Sequence, residues 1–342
     1  MAGSTIYDIA KKAGVSIATV SRVVNKSEGI SEKTREKVLK VADELGYHPQ
    51  AYAQGLARKK KNIIMVVVPV LSNYFFMEVL AGIQDEMTKY NYDLNIFNIQ
   101  SDGENMFPQV ENILKRQLAD GYLFISTHLR DHELEKLKSY DMPITLIDES
   151  YQGMDSVVVD NEKGIEQAMH YFLENGLKRI GMISGLKSSK PGQQRIEGYK
   201  KALTEAGVEV DEQLIVTGDS MDRDGFSEQN GYEAMNKLLD LESPPEACFC
   251  ASDIQAVGAL KAMKERGVHI PIIGYDDITI SNYLGLSTIR QPMHDMGSYA
   301  TKKLVERMKN NKKKPTQKIF SPELILRSST QPKETSTKDL DF

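Results

Sequence analysis

Apolar positions in the first fifty residues recur every three or four places. Ile9, Ala10 and Ala13 make one such stripe, and the spacing predicts a short helix over residues 6–13. Thr5 is a good N-cap, with Asp8 three residues later in a capping-box pattern. Gly14 supplies a residue that tolerates the positive φ of a tight turn. Ser16 then caps a second predicted helix, 17–24, that buries Val20, Val23 and Val24. Ser31 opens a third, with Val38, Val41, Ala42 and Leu45 inward and Gly46 at its end. Two short helices joined by a small glycine-containing turn are a helix-turn-helix signature.

From residue 62 the rhythm changes. Short apolar runs at 63–69, 92–98, 122–127 and 143–148 alternate with helical patterns, and further runs follow at 179–184, 246–252 and 270–275. Continuous apolar strands of this kind are expected to be buried on both faces, in parallel sheets covered by helices. The alternation predicts doubly wound α/β layers. Cys248 and Cys250 fall on one such run, on opposite faces of the strand, and read as buried and reduced. Residues 331–342 read as a disordered polar tail.

Charge divides the chain further. The net charge of −5 combines +6 over residues 1–61 with −11 over the remaining 281. A small basic head on an acidic body suits a nucleic-acid-binding end. The second helix leaves Ile17, Ala18, Thr19, Ser21, Arg22 and Asn25 outward. Thr19 and Ser21 can donate to phosphates or base edges. Arg22 can take a guanine through two hydrogen bonds, and Ile17 and Ala18 can meet thymine methyls. Residues 47–61, YHPQAYAQGLARKKK, continue as a short helix of small residues ending in four cations. Alone in water it is marginal, because helix nucleation is costly. It reads as a linker that orders on meeting a partner.

These stretches together carry a resemblance. TIYDIAKKAGVSIATVSRVVN and SEKTREKVLKVADELGYHPQAYAQGLARKK resemble the DNA-binding headpiece of the LacI/GalR family of bacterial transcription regulators. PVLSNYFFMEVLAGI, QRIEGYKKAL, ASDIQAVGALKA and IIGYDDITISNYLGLSTIRQP resemble that family's sugar-binding core, in the expected order, so the similarity spans about residues 4–330. The resemblance implies an α/β protein: a helix-turn-helix headpiece on a periplasmic-binding-protein-like core of two doubly wound parallel-sheet subdomains. The headpiece is expected at 1–48 and a hinge helix with linker at 49–61. The core is expected at 62–330, with one subdomain of 62–160 and 292–320 and another of 161–291 and 321–330.

The resemblance also implies roles. Residues 17–25 are expected to be the recognition helix, with Ile17 and Ala18 at the pair that varies with operator, similar to that of the GalR and CcpA branches. Thr5, Ser16, Tyr47 and Ala53 join Thr19, Ser21, Arg22 and Asn25 as expected DNA contacts. Leu56 is expected to wedge between base steps in the minor groove. Partners are then a pseudo-palindromic double-stranded operator, a small effector such as a sugar, and a second copy of the chain, with no membrane.

Ligands of such folds sit at the carboxyl ends of strands. Candidates there are Phe75, Phe76 and Phe226 as aromatic walls, Arg195 as a guanidinium fork, and Asp148 and Asp276 as acceptors for sugar hydroxyls. Ser252 stands where the family usually has Asn, which puts a sugar contact there in doubt. Ser189 lies in a variant stretch expected to tune ligand choice. Asp160 and Asn161 read as helix-capping residues. His128 and His132 have metal-capable spacing, but a solvated pair is the simpler reading. No P-loop, GxGxxG after the first strand or HExxH is present, so neither an enzyme nor a cofactor is expected. The N-terminus has no signal pattern, which leads us to expect a cytoplasmic protein. A regulator driven by a protein partner and a transport-type solute-binding protein are the alternatives.

Overall fold

The computed structural model describes residues 4–24, 29–47, 61–69, 74–99, 106–186, 190–218 and 225–331. The chain forms two compact units, one of residues 1–63 with 118–120, the other of 64–117 with 121–342.

In the first unit, α1 (Ile6–Ala13), α2 (Ile17–Val24) and α3 (Glu32–Glu44) enclose a small core. Ile9, Ala13, Val20, Val23 and Val38 are fully or almost fully buried in it, with Ala10, Val41 and Ala42 alongside. Val24, Leu45 and Tyr47 pack against its edge, half-buried. The Asp8 carboxylate accepts from both the backbone N–H and the hydroxyl of Thr5, at 2.8 and 2.7 Å. Gly14 takes φ +63°, and its N–H returns to the Ala10 carbonyl. The left-handed turn is what lets α2 double back on α1.

The second unit holds two six-stranded sheets. The first has the order β11-β5-β4-β3-β1-β2, built from β1 (Ile63–Val68), β2 (Asp93–Asn98), β3 (Gly121–Ile125), β4 (Ile144–Ile147), β5 (Asp155–Val159) and β11 (Gln317–Phe320). The second has the order β12-β10-β9-β8-β6-β7, built from β6 (Ile180–Ser184), β7 (Ile215–Thr217), β8 (Ala247–Cys250), β9 (Ile272–Asp276), β10 (Ser287–Arg290) and β12 (Glu323–Ile325). From β1 across to β11 the pairs are parallel, as are those from β7 across to β10, and β12 runs antiparallel against β10. The chain passes between sheets after β5, after β10 and after β11.

Helices cover the faces. On the first sheet, α4 (Tyr74–Met87) crosses α12 (Met293–Lys309) backbone to backbone. A Cβ on Gly82 would sit 1.9 Å from the His294 carbonyl oxygen, so any side chain there forces the helices apart. On the second, α9 (Glu228–Leu239) and α10 (Asp253–Arg266) meet the same way through Gly231 and Gly258.

Two expectations about strands need correction. The run at 92–98 was expected to be buried on both faces, but β2 is an edge strand, largely exposed. Strands β7, β10, β11 and β12 have no counterpart among the predicted runs; they are three or four residues long, and β11 is mostly exposed, so no apolar run marks them.

Candidate DNA-reading face and ligand cleft

The face of α2 is set by its own spacing. Val20 and Val23 are buried, which turns Ile17, Ala18 and Arg22 outward; Ile17 is 43% exposed. Thr19 and Ser21 are half-buried at the border. Ser16 caps the helix by accepting from the Thr19 N–H at 3.1 Å, and the two hydroxyls share a 2.9 Å hydrogen bond. That cap leaves the positive end of the helix dipole facing outward with Ile17 and Ala18. Tyr7 on α1 is 66% exposed, an aromatic the sequence reading passed over; its break from the apolar stripe was the available signal. Tyr47, expected as a DNA contact, is half-buried against the helical core. Asn25, Ala53 and Leu56 lie outside the described residues, as does Ser189.

In the second unit, polar groups gather where strands end. Arg195 lies on α8 (Lys190–Glu205) and is 5% exposed. Its guanidinium lies 3.8 Å from the ring centroid of Tyr275 and donates to the Ala251 carbonyl. Its Nε donates to Asn161 Oδ1 at 3.3 Å, and the Tyr275 hydroxyl donates to the same oxygen at 2.9 Å. Asn161 Nδ2 donates in turn to Gln194 at 3.0 Å. Phe226 stands 5.9 Å from the guanidinium.

Asn161 therefore corrects the capping expectation. Asp160 does cap α7 (Asn161–Glu174), accepting from the Lys163 N–H, but Asn161 points inward and joins Arg195 to Tyr275. Ser252 caps α10, accepting from the Gln255 N–H at 3.2 Å, so its oxygen is already engaged.

Asp276 ends β9 with φ +123° and accepts from Gln291 Nε2 at 2.6 Å. Burial pushes its carboxyl up to about 8, aided by the charges of Asp253 and Asp148, while Arg195 and the Gln291 hydrogen bond pull it down. Asp253 is fully buried and pushed up to about 6, although Ser281, Thr288 and the Ile278 N–H all donate to it. Asp148, at the end of β4, has φ +62° and accepts from Ser126 at 2.7 Å. Two buried atoms, Ser184 Oγ and Gln291 Oε1, have no hydrogen-bond partner among the described residues. Buried polar atoms are rarely left so without something to receive them.

Phe75 and Phe76 were expected as aromatic walls. Both rings lie in the core of the first sheet, 5.7 Å apart and edge to face, beside Val79 and Met293. Their position at the start of a helix with inward apolar spacing already favoured that outcome. His128 lies in a turn before α6 (Asp131–Lys138), with φ +45°, so it and His132 do not share a helix face. Cys248 and Cys250 are both free and buried.

Comparison with known proteins places both halves. Residues 5–50 match the model of the bacterial regulatory proteins of the lacI family, and residues 169–330 match a periplasmic binding protein-like domain. Catabolite control protein A of Priestia megaterium is 36% identical over 313 residues, spanning 89% of this chain and 92% of that protein. The crystal structure of the lac repressor dimer bound to operator and the anti-inducer ONPF aligns with a TM-score of 0.83 and 27% identity, over 97% of this chain and 100% of that one. The complex of the transcriptional regulator CelR with cellobiose aligns with a TM-score of 0.71 and 28% identity, over 95% and 99%.

Proposed function

This chain belongs to the LacI family of bacterial regulatory proteins, and on that premise we propose a DNA-binding transcriptional repressor whose operator affinity is set by a small ligand in the core. The split of α2 carries the reading: Val20 and Val23 are spent on the helical core, and Ile17, Ala18 and Arg22 remain free for a duplex. Arg22 takes a guanine or a phosphate, and Ile17 and Ala18 meet thymine methyls. Thr5, Ser16, Thr19, Ser21 and Tyr7 hold the backbone or the groove edge. Asn25, Ala53 and Leu56 are further DNA contacts in this reading, Leu56 as a minor-groove wedge.

The protein works in the cytoplasm as a homodimer, as the related lac repressor is a dimer on its operator. Two-fold symmetry in the protein asks for a pseudo-palindromic site. The effector is a sugar or a sugar derivative; the related CelR structure is a complex with cellobiose. Arg195, Asp276 and Asp148 supply its polar contacts and Phe226 a wall, with Ser189 and Ser252 as further contacts. The unpartnered Gln291 Oε1, on the side chain whose Nε2 donates to Asp276, supports a polar occupant there. Binding there favours one arrangement of the two sheets and shifts DNA affinity by about 1–3 kcal/mol, the usual size of such coupling. A transport-type solute-binding role is set aside, because the relatives over nearly the whole chain are regulators.

The test is thermal. A ligand at 100 times its Kd adds roughly 2.7 kcal/mol of stability. Screening the full chain against mono- and disaccharides, sugar phosphates and nucleosides should raise the melting temperature with one class, and Asp276→Ala should abolish that rise. If no class stabilises the wild-type chain, control by a small ligand is refuted, and control by a protein partner takes its place.

A further inference from the structure

The core is acidic overall, but two stretches run against that, residues 178–201 and, more densely, residues 302–318. Between residues 302 and 318 the chain carries eight cations and a single acid, Glu306, while the rest of residues 62–342 carries a net −18. Two of the eight are structural. Lys303 and Arg307 are turned toward Asp155, which is 1% exposed at the start of β5. The others on this stretch are exposed.

The loop that bears three of them is gripped from both sides. Arg307 Nε donates to Asp155 Oδ2 at 2.7 Å, and its Nη1 donates to the carbonyls of Asn311, at 3.0 Å, and Lys313. The other Asp155 oxygen accepts from the N–H and hydroxyl of Thr316, at 2.8 and 3.3 Å. Asn311 also donates to Asp141 at 3.0 Å. Between these grips stand Lys312, Lys313 and Lys314, with Lys309 lying over the Tyr90 ring. Among the described residues, their ion pairing is a long contact of 3.9 Å from Lys313 to Glu306. Adjacent like charges repel, and a helix dipole favours cations only within the last turn. Lys312 to Lys314 lie beyond α12, so neither effect accounts for holding them in place.

Their position does. Strands β1, β3, β4, β5 and β11 are parallel, so all begin at one edge of the sheet, and the loop leads directly into β11. β1 begins at Ile63, so the tether from the N-terminal unit enters the core at this same edge. Tether length limits how far this edge can stand from DNA held by that unit.

We propose that residues 309–314 form a second DNA contact, a phosphate-binding ridge on the core that engages the duplex backbone without reading bases. The proposal rests on the DNA-binding reading above. Each phosphate neutralised releases counterions, and contributes about 0.9 to the slope of log K against log salt on duplex DNA.

The experiment compares salt slopes for the full chain. The probes are a duplex that the protein selects from a random pool and a mixed-sequence duplex of equal length. Lys312→Gln/Lys313→Gln/Lys314→Gln should lower the slope by about 2–3 on both probes. The matching Lys→Arg triple should keep the wild-type slope, because arginine also binds phosphate. Lys201→Gln/Lys261→Gln/Lys264→Gln changes charge equally on exposed positions elsewhere. It should leave the slope within about 0.5 of wild type. The ridge is overturned if the loop triple matches wild type, or if both Gln triples lower the slope alike. Failure of the wild type to prefer its selected duplex over mixed sequence would instead strike the operator-reading role. The slope comparison on mixed sequence still decides the ridge.

Discussion

In the N-terminal unit, polar side chains stand outside a core of eight small or aliphatic residues. In the core unit, Arg195, Asn161, Asp253 and Asp276 stand inside, each 9% exposed or less. The first arrangement separates reading from folding, since an exposed side chain can change with little cost to stability, usually within about 0.5 kcal/mol. The second fuses them. Arg195 braces Ala251, Asn161 and Tyr275, and in the proposed site the same guanidinium would meet the ligand. A regulator built this way can vary its operator by exchanging surface residues, while any change of effector must repack a hydrogen-bonded network.

The largest expected effect breaks the network. Arg195→Met leaves Asn161 and the Ala251 carbonyl short of a donor, and should cost the core about 3–5 kcal/mol in urea unfolding. A loss under about 1 kcal/mol would mean that the guanidinium is not a brace. Next comes Ile9→Ala, at about 2–5 kcal/mol. In so small a core this should unfold the three helices, read as lost amide protection, while the thermal transition of the core stays in place. A joint loss of both transitions would show that the two units do not fold separately.

The third prediction uses pH. The Asp276 carboxyl titrates near 8 in the fold against 3.8 ordinarily, and Asp253 near 6. The folded state thus holds protons that the unfolded chain has released, so these groups favour folding below about pH 4 and lose that contribution as pH rises toward 8. Asp276→Asn should therefore match wild type near pH 4 and exceed it near pH 8. Equal melting curves at pH 8 would place a charged, solvated carboxylate there instead. The smallest effect is Ser16→Ala, which removes the α2 cap at a cost of about 1 kcal/mol to the N-terminal unit alone.

The same contrast governs what could be read in advance. The three short helices, their caps at Thr5, Ser16 and Ser31, and the inward valines follow from local spacing, and the structure keeps them. The buried parallel strands follow from apolar runs. The cleft network does not. Asn161 reads locally as part of a helix start, and its partner Tyr275 lies 114 residues away, so only topology reveals their contact. Phe75 and Phe76 carry two local signals at once, a place after a strand and an inward helical period, and the structure shows the second as burial in the first sheet's core. Asp253 was legible as a motif position, but not as a fully buried carboxyl with three donors.

The central claim is that α2 reads bases, and selection from a random duplex pool tests it most directly, with wild type and Arg22→Ala compared at one fixed salt concentration. The account predicts that wild type enriches a two-fold symmetric sequence. Arg22→Ala should lose discrimination at one base pair per half-site, by about 1–3 kcal/mol, with the fold intact. Enrichment of no symmetric sequence by wild type, or an identical preference in Arg22→Ala, would contradict it.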